Sequence, residues 1–226
     1  MNLFRKYYLT LVCLALVLNA VTSEGANTSD MVYIAPDESR AVGTDGFYID
    51  RYEVTQADYF KVMRANPSFF KGDDRPVEKV SWNLAVAFCA KVGKRLPTEQ
   101  EWERAIRAGT TSPYYWGENQ PDRYAWHKGN ADKQTHVVGE KEPNSWGLYD
   151  MAGNVWEWCL DWYDKNYYRV SPEINPEGPQ GPLKMKVLRG GSWINSIEGI
   201  KVVKRARNFP YIKNEIYGFR TALSSQ

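Results

Sequence analysis

The segment Asn144–Trp158 constrains this chain more than any other. It places three Trp, one Tyr, two carboxylates and two Gly within fifteen residues. Large rings must pack on something, and glycine lets a backbone turn sharply between them. Asp150 and Glu157 bracket the tightest part. Two readings are open from the residues alone. One is a turn whose carbonyls point inward and, with the two acids, supply the six to eight hard oxygens that calcium takes. The other is an aromatic core turn whose acids are hydrogen-bonded.

Around this segment the pattern is mixed. Thr55 reads as an N-cap for a helix over 56–65, stopped by Pro67. Ser81 caps a second helix, with Val86, Ala87, Ala90 and Val92 near one face and Gly93 as its stop. Thr98-Glu99-Gln100-Glu101 is a capping box, and Trp102, Ala105 and Ile106 give that helix an apolar side up to Gly109. Strands are expected over 31–34, 46–54, 186–189, 200–203 and 217–222. Residues 110–144 and 171–183 read as loops rich in Gly, Pro, Asn and Asp. Loops of this length inside a compact domain are usually functional, or held by an ion or a disulfide. The expected architecture is a single α+β domain over 31–226, with few helices, short strands and long loops.

The N-terminus reads as a secretory signal over 1–23. Arg5 and Lys6 precede the apolar run Leu9–Leu18, and Ser23 or Ala20 suits cleavage. The run falls short of the roughly 20 residues that span a bilayer. Residues 24–30 form a polar connector. The expected location is periplasmic or secreted, with no membrane span after cleavage. Without Arg5 and Lys6 the two charge signs balance at 27 each, which gives no bulk electrostatic case for nucleic acid. Cys89 and Cys159 then remain. An oxidising compartment permits a disulfide between them, and two unpaired buried thiols is the alternative.

Five segments together resemble the formylglycine-generating-enzyme (sulfatase-modifying factor) domain family. They are Phe47–Thr55, Gly93–Glu103, Asn144–Trp158, Val187–Trp193 and Gly218–Arg220, in the family's order, covering about 31–222. The resemblance implies an α+β fold related to C-type lectin domains, with structural calcium. By position its ligands would be Asp150, Gly153, Val155 and Glu157, the middle two through backbone carbonyls. A second family calcium site has no obvious match in the shortened stretch 125–138. The family partner of a cysteine at Cys89 falls on Thr221.

Members of that family oxidise a substrate cysteine to formylglycine, using copper held between two cysteines. Those positions fall on Asn195 and on or beside Ile200, and Ser192–Arg207 contains no Cys. Amide and hydrocarbon do not replace two soft thiolates, so copper is not expected and no catalytic residue is assigned. The resemblance places Trp156, Ser192, Trp193, Asn195, Arg205 and Arg207 in or beside the family's substrate groove, where aromatic faces beside Ser and Asn suit a peptide or a small ligand. Arg220 is expected in a buried ion pair. His127 and His136, nine apart in a loop, read as hydrogen-bonded histidines. Ser192 lacks the surroundings of a nucleophile elbow. The leading expectation is an exported accessory or binding protein for another exported protein. The alternatives are an enzyme with cysteine-free chemistry on the same fold, and a lectin-like or scaffold module.

Overall fold

Capping chemistry sets the helices. In the computed structural model, which describes residues 28–36, 44–172, 174–181 and 183–225, α1 (Gln56–Met63), α2 (Trp82–Lys91) and α3 (Glu99–Arg107) begin directly after Thr55, Ser81 and Thr98. Each of these hydroxyls accepts a backbone N–H from the first turn, at Asp58, Leu84 and Glu101. Such caps are worth about 1 kcal/mol each. Both halves of the capping box at Thr98 and Glu101 are present. The first helix stops before the expected 65, because Arg64 takes the left-handed conformation at φ 57° and its N–H returns to the Phe60 carbonyl. A four-residue helix α4 (Pro121–Tyr124) interrupts the stretch expected to be loop. The expected signal peptide and most of the connector lie outside the described residues.

The strands form two sheets. One is antiparallel, with β2 (Phe47–Asp50) between β1 (Met31–Ile34) and β7 (Ala222–Ser224). The other is ordered β5 (Arg205–Asn208), β4 (Lys186–Arg189), β3 (Trp156–Trp162), β6 (Tyr217–Gly218), with β3 and β6 parallel. The expected final strand over 217–222 is therefore split. Gly218 ends one sheet and Ala222 starts in the other, and Phe219-Arg220-Thr221 bridges them. The strand expected over 200–203 is displaced. Ile197–Ile200 is a 3₁₀ turn, and pairing with β4 begins only at Arg205. Ile200 is fully buried against Gly191, and the turn is what carries it there.

β3 emerges directly from the aromatic turn. It shows almost no alternation in burial, since both of its faces are covered. One face, with Trp156 and Trp158, packs in the cluster of Tyr59, Phe88, Cys89, Leu188 and Phe219. The other, with Cys159, faces Trp102, Ile106, Met151 and Ile200. Cys89 and Cys159 thus belong to different layers, and both are free and buried; the disulfide alternative is not realised. Among the described residues no helix is long and apolar enough to cross a membrane.

Candidate functional site

The turn after Leu148 gathers buried charge. Asp150 and Asn154 sit at positive φ, 54° and 48°, and Gly153 lies at φ 90°. A Cβ at Gly153 would fall 2.1 Å from the Trp126 carbonyl oxygen, so only glycine fits. Glu157 is 1% exposed and Arg220 0%. The guanidinium clamps the carboxylate bidentately, with Nη2 to Oε1 and Nε to Oε2 both at 2.7 Å. Trp102 Nε1 donates to Oε2 at 2.7 Å. The remaining Arg220 donors reach the carbonyls of Asp50, Arg51 and Tyr149. The expected ion pair of Arg220 is thus formed, and it ties the two sheets through the turn.

A third acid, Glu53, belongs to the same cluster and was not singled out from the sequence. It is 2% exposed. Its carboxylate accepts from Asn154 Nδ2 at 2.7 Å and from the Val155 N–H at 3.2 Å. Its position inside the Tyr52-Glu53-Val54 motif was the available signal. Burial, with the charges of Asp150 and Glu157, pushes the Glu53 carboxyl well above the usual range. Burial likewise raises Asp150 to about 6, against the Gly139 N–H that donates to its Oδ2 at 2.7 Å. Asp150 Oδ1 is buried without a partner. Three carboxyls thus face one guanidinium, leaving room for a dication's charge. Among the described residues no three His, Cys, Asp or Glu side chains form a metal cage. The expected ligand set has only two, Asp150 and Glu157, and draws its other oxygens from the backbone at Gly153 and Val155. The orphaned oxygen and the surplus negative charge suit a hard cation.

Ser192, Trp193 and Asn195 are brought together beside this turn. Asn195 Oδ1 accepts from the Ser192 N–H at 3.0 Å and from Ser192 Oγ at 2.9 Å. The Trp193 N–H donates to the Asn154 carbonyl at 2.9 Å, so the groove residues share a backbone link with the turn. Trp193 is half-buried; its Nε1 donates to the Glu215 carbonyl at 3.3 Å, and Phe70 meets it edge-on at 5.6 Å. Gly190 and Gly191 hold positive φ. A Cβ at Gly191 would sit 2.5 Å from Ile200 Cγ2.

The two arginines and Trp156 fall on opposite faces of the sheet. Arg205 pairs with Arg189, which pairs with Glu157, so Arg205 and Arg207 share the Glu157 side, whereas Trp156, one residue from Glu157, points the other way. Arg205 is clamped to Glu99 at 2.6 and 2.7 Å and lies over Tyr163 and Tyr168. Arg207 is exposed, over Tyr163 at 4.6 Å. The six expected groove residues therefore do not line one wall.

The cysteines and histidines are engaged elsewhere. Burial pushes the Cys89 thiol up to about 12 and Cys159 well above its usual range. His127 Nδ1 accepts the Gly129 N–H, which leaves Nε2 to donate to Asp122 Oδ1 at 2.7 Å. His136 stacks on Trp126 at 3.7 Å and contacts the Ala131 carbonyl through Nε2 at 2.9 Å.

Known proteins resemble this chain in sequence and in fold. The sulfatase-modifying factor enzyme 1-like domain profile matches residues 19–225. The formylglycine-generating enzyme of Streptomyces coelicolor is 39% identical over 166 residues, covering 66% of this chain and 52% of that protein. A protein of Paenibacillus barcinonensis, named chaperone protein LppX, is 29% identical over 268 aligned positions, covering 88% and 91%. Treponema denticola variable protein 1 superimposes with a TM-score of 0.76 at 30% identity, covering 86% of this chain and 95% of that one. The chain spans from 24% to 52% of the length of the first relatives it matches. The α+β architecture is that of the formylglycine-generating-enzyme and C-type-lectin-like fold, and the chain belongs to the sulfatase-modifying factor enzyme 1-like domain family.

Proposed function

We propose that this chain is an exported binding or assembly factor of that family, acting on another exported protein, rather than a copper-dependent formylglycine-generating oxidase. One observation carries the reading. At the position where the resemblance puts the first copper cysteine, the Asn195 side chain is spent on Ser192, through its N–H and Oγ. Ile200, on or beside the second, is an aliphatic group fully buried against Gly191. Among the described residues the two thiols, Cys89 and Cys159, offer no substitute, since burial holds both above their usual range and they lie in separate layers. The Paenibacillus relative, matched over 91% of its length, carries the name chaperone protein, and that name supports an assembly role. Arg5, Lys6 and the apolar run after them support export.

The buried acids at the turn suit calcium in this reading. Asp150 and Glu157, with backbone oxygens of Gly153 and Val155, would hold it, and it would supply charge balance and fix the turn that supports Trp193.

Purified protein loaded with Cu(I) and given a cysteine-containing sulfatase peptide tests the proposal. Mass spectrometry should find no aldehyde product. Stoichiometric copper binding with turnover would overturn it. In parallel, a partner recovered from envelope extract of the producing organism should be lost with Trp193→Ala at an unchanged melting temperature.

A further inference from the structure

Away from the turn and the groove, Lys186 occupies an unusual setting. It is the first residue of β4, and only 4% of it is exposed. Its Nζ lies 3.8 Å from the centre of the Trp162 ring and 4.0 Å from that of Trp82. It donates to the Leu160 carbonyl at 2.8 Å. Among the described residues no carboxylate is ion-paired with it, and Asp161 acts on it only at longer range. Burial lowers its pKa to about 8. An open cleft of about 490 Å³ lies beside it, lined by Trp82, Trp162 and Leu160 on one side and by Glu177, Pro179 and Gln180.

A buried lysine with one carbonyl acceptor and no counter-ion has two uses. It can remain a cation held by two ring faces. It can also supply a neutral amine at mild pH, since desolvation in an apolar pocket is one way proteins activate lysine as a nucleophile. Two observations favour the second: among the described residues no carboxylate is ion-paired with Lys186, and the adjoining cleft offers aromatic walls to a planar guest.

We propose that Lys186 is a reactive amine which condenses with an aromatic aldehyde bound in the adjoining cleft, against the edge of the Trp82 and Trp162 walls. The amine lone pair adds to the carbonyl carbon and the carbonyl π pair moves to oxygen, giving a carbinolamine. Both nitrogen protons pass in turn to that oxygen, which leaves as water while the nitrogen lone pair forms the C=N bond. No oxidant or reductant is consumed. This site is independent of the groove and of the copper question.

The full chain is treated at pH 8 with limiting benzaldehyde and cyanoborohydride, which traps an imine as a benzylamine, and the digest is read by mass spectrometry. Lys186 should be benzylated about tenfold faster than the exposed Lys204 and Lys213. That preference should fall severalfold with acetaldehyde, which has no ring to stack. Lys186→Arg should keep the melting temperature and lose the label at this position. Labelling of Lys186 no faster than the exposed lysines would overturn the proposal and leave a packed cation. Equal preference for acetaldehyde would overturn the ligand class.

Discussion

Arg220 decides whether the centre of this molecule is tolerable. Glu157, Glu53 and Asp150 are all buried, and the Arg220 guanidinium is coupled electrostatically to each of them. It also satisfies three carbonyls from segments flanking the turn. Removing one partner of a buried pair leaves an uncompensated charge and costs about 3–5 kcal/mol. Arg220→Met should therefore lower the urea unfolding free energy by about that amount, and Glu157→Gln in the same chain should recover part of it. A buried ion pair is what the sequence leads one to expect of Arg220. Its acceptor, 63 residues away, was not legible, because a short arginine motif carries no record of which acid it will meet.

Between elements, the start of α3 shows how helix and sheet are joined. Glu99 donates its N–H to Asp161 Oδ2 of β3 at 2.7 Å, beside the capping box. Burial raises Asp161 to about 7 even against that hydrogen bond. Its folded pKa lies above the unfolded value, so the folded state binds the extra proton. Between about pH 4 and 7 the unfolded chain ionises this group while the folded one does not, and stability falls as pH rises through that window, levelling above it. Asp161→Asn keeps an acceptor for the helix and removes the titration. Its unfolding free energy, measured from pH 4 to 7.5, should decline less steeply than that of the parent. The caps themselves are legible, since a hydroxyl at the head of a helical run is local chemistry, marked further at Thr55 and Thr98 by an acid three residues on. The strand β3 was not, because burial of both faces erases the period that marks a half-buried strand. The 200–203 segment misled for a related reason: its β-branched residues have strand propensity, but Ile200 and Val202 are buried from a turn rather than a sheet.

Across the whole molecule, the turn is the place where both sheets, the Trp126 loop and the groove segment converge. Gly153 donates to the Gly190 carbonyl, Asn154 takes the Trp193 N–H on its carbonyl, and the Asn154 N–H reaches the Trp126 carbonyl. Gly153, Asn154, Gly190 and Trp193 stand in motifs visible in the sequence, whereas Trp126 comes from a stretch that reads as loop, and the separation of Arg205 and Arg207 from Trp156 depends on strand pairing that no motif encodes. A cation bound to Asp150 and Glu157 would act on all these segments at once, since it would offset the surplus acid charge at their meeting point. A ligand that binds only the folded state adds about 2.7 kcal/mol at a hundredfold excess over its Kd. For a domain of this size that corresponds to roughly 5–10 °C in melting temperature. Saturating calcium should raise the melting temperature of chelator-stripped protein by that order, and elemental analysis of untreated protein should find about one calcium per chain. Asp150→Ala should abolish the calcium-dependent increment. No bound calcium, together with a melting temperature indifferent to both calcium and chelator, would mean that Glu53 and Asp150 carry their charge as protons, and that the turn is held by Arg220 and its hydrogen bonds alone.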